Sequence, residues 1–162
     1  NSLTCINPGF ELGDFLNEKT CTSMEYVKQL LQGKFPAAPK FSVMISHVKD
    51  IAKAHVLSLT NERAGGRRLI VGSEVRSILE LSQIMAKNIP SHAKKLPKRE
   101  LPNFMVKLLS YVDTSAKNMV PDLGLKMQTD QTYAEDILQM KFIASEIAVV
   151  DAAKSVIRLN IA

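Results

Sequence analysis

Three short apolar runs set the fold of this chain. They are Ser2–Asn7 ("SLTCIN"), 41–46 ("FSVMIS") and 67–72 ("RRLIVG"), and each is followed by a segment with helical periodicity. Strands alternating with helices specify α/β layering, because each helix lays an apolar stripe on the sheet. Three strands of this length are too few for a stable parallel sheet, which must be covered on both faces. The pattern therefore predicts the second half of a larger α/β fold, with a helix-rich tail.

The helices carry their own punctuation. In "SMEYVKQLLQG", Met24, Val27, Leu30 and Leu31 share one face, Ser23 is placed to cap the start, and Gly33 ends the helix. In "HVKDIAKAHVLSLTNE", Val48, Ile51, Ala52, His55, Val56 and Leu59 form one apolar stripe, which would make His55 a packed core histidine. "RAGG" closes that helix. Ser77 and Glu80 form an S-x-x-E capping box for a helix running to about Asn88. Met105, Leu108, Leu109 and Val112 line one side of a helix in "NFMVKLLSYVD", and "MVPDLG" is a turn. Asp130 and Thr132 cap a short helix, and Ser145 caps a final one that buries Val149, Val150, Ala153, Val156 and Ile157. Residues 8–22 read as one long loop.

Composition narrows the class. Of 162 residues, 46% are hydrophobic and 23% charged, as in an ordinary globular domain. No apolar run approaches the ~18 residues of a membrane span. The first residues have neither a basic n-region nor an apolar h-region, and there is no initial Met, which suits an excised or truncated product. Cys5, in an apolar strand, is expected buried, and Cys21 partly exposed. Two isolated thiols fit a reducing cytoplasm. The net charge of +5 includes Lys94, Lys95, Lys98 and Arg99 in "HAKKLPKRELP". No aromatic interleaves them for base stacking, so a solvated connecting segment is expected rather than a nucleic-acid site. No His, Cys or Asp spacing resembles a metal site. His47 reads as a strand end or helix cap, and Asp50 as structural.

"INPGFELG", "TSMEYVKQLLQGKFPAAP", "HVKDIAKAHVLSL" and "GRRLIVG" occur in this order. With "KRELPNFMVKLLSYVD" and "DAAKSVIRLNIA", the set resembles the C-terminal half of extended short-chain dehydrogenases/reductases. The nearest subgroup is that of dihydroflavonol, cinnamoyl-CoA and aldehyde (methylglyoxal) reductases, within the NAD-dependent epimerase/dehydratase superfamily. The resemblance implies a carbonyl reductase using NADP, or NAD, on a small ketone or aldehyde. It implies that backbone near Pro8, Gly9 and Glu11 meets the nicotinamide carboxamide, and that Ser23 contacts the cofactor. It implies the C-terminal part of a Rossmann-like, doubly wound parallel sheet with a helix-rich substrate-binding subdomain, divided at about residue 90: the end of the sheet, the nicotinamide-side loop and substrate elements before, and a mainly helical substrate subdomain and C-terminal helix after.

The sequence departs from the family at Glu11 (usually apolar), Asp14 (usually Pro, so a looser loop is expected), His47 and Lys49 (often Asp and Arg), and Gln139 (usually Gly, so a different turn is expected). It holds no glycine-rich turn between a strand and a helix. The family's tyrosine with a lysine four residues on is also missing: Tyr26 is followed by Leu30, Tyr111 by Ser115 and Tyr133 by Ile137. No catalytic residue is therefore expected in this chain, and its main partner would be the missing N-terminal half. A homo-oligomer is compatible with this reading, while nucleic acid and membrane are not expected partners. The alternative is a non-enzymatic module of the same fold that docks another protein through an open sheet edge.

Overall fold

A computed structural model describes residues 3–19, 21–111, 114–125 and 127–161. Strand β1 (Cys5–Pro8) pairs in parallel with β5 (Arg68–Val71), from Cys5 opposite Arg68 to Pro8 opposite Val71. The chain then changes partners at Gly9. Strand β2 (Phe10–Leu12) pairs in parallel with β4 (Ser42–His47), and the first half of β4 pairs antiparallel with β6 (Val75–Ser77). A third, minimal pairing joins β3 (Ala38–Pro39) to β7 (Glu100–Leu101). The expected α/β architecture is present. What the sequence reading took as one loop, residues 8–22, contains β2, and β6 was also missed because three residues carry too little pattern to register. Ser2, assigned to the first strand, lies outside the described residues.

Two cores flank the change of partners. Helices α1 (Thr22–Gln32), α3 (Ile78–Asn88) and α7 (Ser145–Arg158) bury Met24, Leu30, Leu31, Leu81, Met85, Val149 and Val156 with Leu12 and Ile45 of the β2–β4–β6 sheet. On the other side, α2 (Val48–Thr60) and α6 (Thr132–Leu138) close over Leu69 and Val71 of β5 through Ala54, Ala134, Ile137 and Leu138. Among the described residues, two further short α-helices are α4 (Asn103–Leu109) and α5 (Thr114–Met119).

Helix ends test the capping expectations. The Ser77–Glu80 box is complete: Ser77 N–H donates to Glu80 Oε2 at 2.7 Å, and Glu80 N–H donates to Ser77 Oγ at 3.2 Å. Gly33 ends α1 at φ 77°. Ser23 does not cap α1. The cap position is Cys21, and Ser23 sits inside the first turn, nearly buried, with Oγ 3.4 Å from Cys21 Sγ. Ser145 is likewise the first residue of α7 rather than its cap; its N–H donates to Glu74 Oε2 and its Oγ accepts from Arg76 Nε. Polar residues gather at helix starts, so sequence alone misplaces the cap by a residue or two. Asp130 accepts from both the N–H and the hydroxyl of Thr132 just ahead of α6, whose cap position is Gln131. Gln139 closes α6 in the left-handed conformation, φ 50°, the role glycine usually takes.

Much of the stripe on α2 faces solvent, although Val48 and Ile51 are half-buried and Ile51 packs against the second core. Ala52, His55, Val56 and Leu59 are exposed, Val56 at 65% and Leu59 at 84%, while Asp50 and Ala54 are buried. His55 is not a core histidine; its Nδ1 pairs with Ile51 O of the preceding turn. The cause is the close approach of the helix to β1 and β5, which needs the small Ala54, and the reach of Asp50 to the backbone of Ile143. α4 repeats the pattern. Val106 is its buried residue, and Met105, Leu108 and Leu109 are exposed; Val112 lies outside the described residues. Cys5 is half-buried rather than buried, and Cys21 is exposed.

Candidate functional site

The candidate site grows from the point where the chain leaves one sheet for the other. Gly9 must be glycine: a Cβ there would lie 2.3 Å from the backbone oxygen of Met44 in β4. The close strand contact explains this glycine without any ligand. Its N–H donates to Ser46 Oγ at 2.8 Å, and the Ser46 hydroxyl donates to Val71 O at 2.6 Å. Ser46 is fully buried. Beside it, Gly72 leaves room that a Cβ would take from Ser46 Oγ and the Met44 side chain, all at 2.9 Å. Ser73 N–H donates to Ile45 O at 2.8 Å, closing the junction from the far side.

Strand alternation sorts the neighbouring side chains. Leu12 is buried and Phe10 half-buried on the core side, where the Phe10 ring meets Tyr26 edge-on with centroids 6.0 Å apart. Glu11 projects to solvent. Tyr26 packs in turn on Phe35, and burial pushes its phenol pKa upward; its hydroxyl has no hydrogen-bond partner. Pro8, Gly9 and Glu11 thus follow one another along an accessible edge, and α1, which carries Ser23, packs against β2.

The loop beyond β2 is anchored, contrary to the looseness expected of Asp14. Arg158 of α7 donates to Asp14 Oδ1 at 2.6 Å and to Phe15 O at 3.0 Å, and Phe15 N–H donates to Ser155 Oγ at 3.1 Å. His47 caps α2 as expected: Nδ1 accepts from Lys49 N–H at 3.1 Å, and Nε2 lies 3.4 Å from Asp151 Oδ2. With Nδ1 as acceptor, the neutral ring carries its proton on Nε2, toward Asp151. An open depression of about 480 Å³ lies here, between Asp14, Lys49, Asp151, Lys154 and Arg158. Sequence reasoning missed Ser46. A serine inside a strand gives no signal until its partners, 37 and 25 residues away, are known.

Lys94, Lys95, Lys98 and Arg99 are exposed on a turn segment whose Leu96 and Pro97 are buried. Among the described residues there is no group of three potential metal ligands, and no helix is long and apolar enough to cross a membrane.

No protein-family model matches the chain. Tetraketide α-pyrone reductase 2 from Arabidopsis thaliana is 29% identical over 90 residues, which cover 56% of this chain and 28% of that protein. Yeast methylglyoxal/isovaleraldehyde reductase Gre2, solved with NADPH, superposes with a TM-score of 0.73 at 19% identity, over 98% of this chain and 44% of Gre2. Vestitone reductase from alfalfa (Medicago sativa) gives 0.67 at 19% identity, over 99% of this chain and 46% of that enzyme. The chain therefore spans less than half the length of the reductases it matches. Its fold, traced through nearly every residue, is that of one portion of a Rossmann-like reductase.

Proposed function

We propose that this chain is the C-terminal, cofactor-side and substrate-binding portion of an NAD(P)H-dependent reductase of ketones or aldehydes. One observation carries the reading: almost the whole chain matches reductases of which it covers less than half. The open architecture agrees, since β1 pairs with β5 alone among the described residues. The outward apolar face of α2 would then lie against the missing N-terminal half, and the exposed apolar residues of α4 would belong to a helical substrate subdomain after residue 90.

In this reading Pro8, Gly9 and Glu11 form the wall beside the nicotinamide. Gly9 and Glu11 are exposed and Pro8 is half-buried, which would leave a flat ring room to lie against them. Their backbone would hold the carboxamide, and the Ser23 hydroxyl, at the start of α1, would reach a phosphate oxygen beside free helix N–H groups. Ser23 is nearly buried, with Oγ 3.4 Å from Cys21 Sγ, so the contact would come through the little surface it leaves open. The nicotinamide, when bound, supplies hydride to the carbonyl carbon. This chain's part is to orient the ring and exclude water from one side. A tyrosine outside these residues would protonate the oxygen.

The test compares the isolated chain with the full reading frame. The chain alone should oxidise no NADPH with aldehydes or ketones, while the longer protein should. Turnover by the isolated chain, or none by the longer protein, would overturn the proposal.

A further inference from the structure

We infer that Ser46 is a positioning residue for the Pro8–Gly9 edge, holding it in place for the nicotinamide; this rests on the cofactor reading proposed above. The Ser46 hydroxyl has one proton, which it gives to Val71 O at 2.6 Å, so its lone pairs are turned to the Gly9 N–H at 2.8 Å. That single group joins β4 to the last residue of β5 and to Gly9, the residue just past β1 where the chain changes partners. Pro8 cannot donate a backbone hydrogen bond, so Gly9 N–H is the first donor past the strand. Gly9 is exposed on one side and held through Ser46 on the other. Gly72 keeps the slot open for the hydroxyl, because any side chain there would crowd Ser46 Oγ. The arrangement pre-organises an exposed edge from a fully buried anchor, as a ligand-facing loop requires.

The experiment has two arms. In the 162-residue chain, Ser46→Ala should speed amide hydrogen exchange at Gly9 by about tenfold, the scale of one net hydrogen bond, with amides inside α2 and α7 unchanged. In the full-length reductase, the same variant should raise KM for NADPH by about tenfold and leave KM for the carbonyl substrate unchanged. Should alanine prevent folding, Ser46→Cys, with a weaker donor and acceptor of similar size, should give smaller shifts in the same directions. Unchanged exchange at Gly9 would overturn the anchoring role. Faster exchange with an unchanged KM for NADPH would overturn the link to the cofactor. A wild-type full-length protein that consumes no NADPH would overturn the cofactor reading itself, while the exchange arm would still decide whether Ser46 holds Gly9.

Discussion

Asp50 Oδ2 accepts a hydrogen bond from the backbone N–H of Ile143 at 2.7 Å, tying the first turn of α2 to the segment that leads into α7. Asp50 is nearly buried, and burial raises its pKa above the ordinary 3.8, more than the Ile143 N–H, His47 and Lys53 lower it. The folded state thus holds the proton to higher pH than the unfolded chain. The stability contributed by this group is complete below pH 3.8 and is lost as pH rises through the folded pKa. Asp50→Asn keeps an acceptor for Ile143 and does not ionise. Denaturant titrations should show its stability relative to wild type improving as pH rises through that window. Asp50→Ala should lose about 1–3 kcal/mol, because it strands the Ile143 N–H.

The Ser77–Glu80 box has the opposite pH sign. The Ser77 N–H holds the Glu80 carboxyl below its ordinary 4.5, against a smaller effect of burial, with the Ser77 hydroxyl and Arg76 adding to the lowering. Its contribution is present above pH 4.5 and is lost as pH falls through the folded pKa. Ser77→Ala should cost about 1 kcal/mol at neutral pH, and the gap to wild type should shrink in acid.

Substitutions at two glycines of the junction should differ in size. Gly9→Ala meets a backbone oxygen that cannot move alone and should cost about 3 kcal/mol or prevent folding. Gly72→Ala meets the flexible end of Met44 as well as Ser46 Oγ, and should cost less. Thermal melts of the two variants give the ranking directly.

Leu59 and Leu69 separate the exposed stripe of α2 from the core. Leu59→Ala should change stability by less than about 0.5 kcal/mol in the isolated chain. Leu69→Ala, at a fully buried position of β5, should lose about 2–5 kcal/mol. Equal losses would mean that the α2 face is covered in solution.

Local signals were read well where the physics is local. The capping box, the glycine end of α1 and the apolar face of α7 depend on residues within a turn or two of one another. The orientation of α2 was not legible because the helix is apolar on two sides, and its buried residues, Ala54 and Asp50, are a small one and a charged one, with Ile51 and Leu57 only half-buried beside them. Ser46 was illegible for a related reason: its role exists only once three distant strands meet. Of the residues the resemblance points to, Gly9 and Glu11 are exposed and Pro8 is half-buried, while Ser23 is a nearly buried first-turn residue rather than a cap.

The pairing of residue 5 with residue 68 bears on how the polypeptide is made. As the ribosome delivers the chain, β1 emerges well ahead of β5, the strand that takes up its hydrogen bonds, and α1, β4 and α2 all appear in between. Closing so long a loop carries an entropic cost before any contact rewards it. During that interval β1 offers bare amides and carbonyls to any passing strand. Truncation between α2 and β5 should therefore yield a species that aggregates, and a chaperone that shields extended segments should raise the yield of the native form.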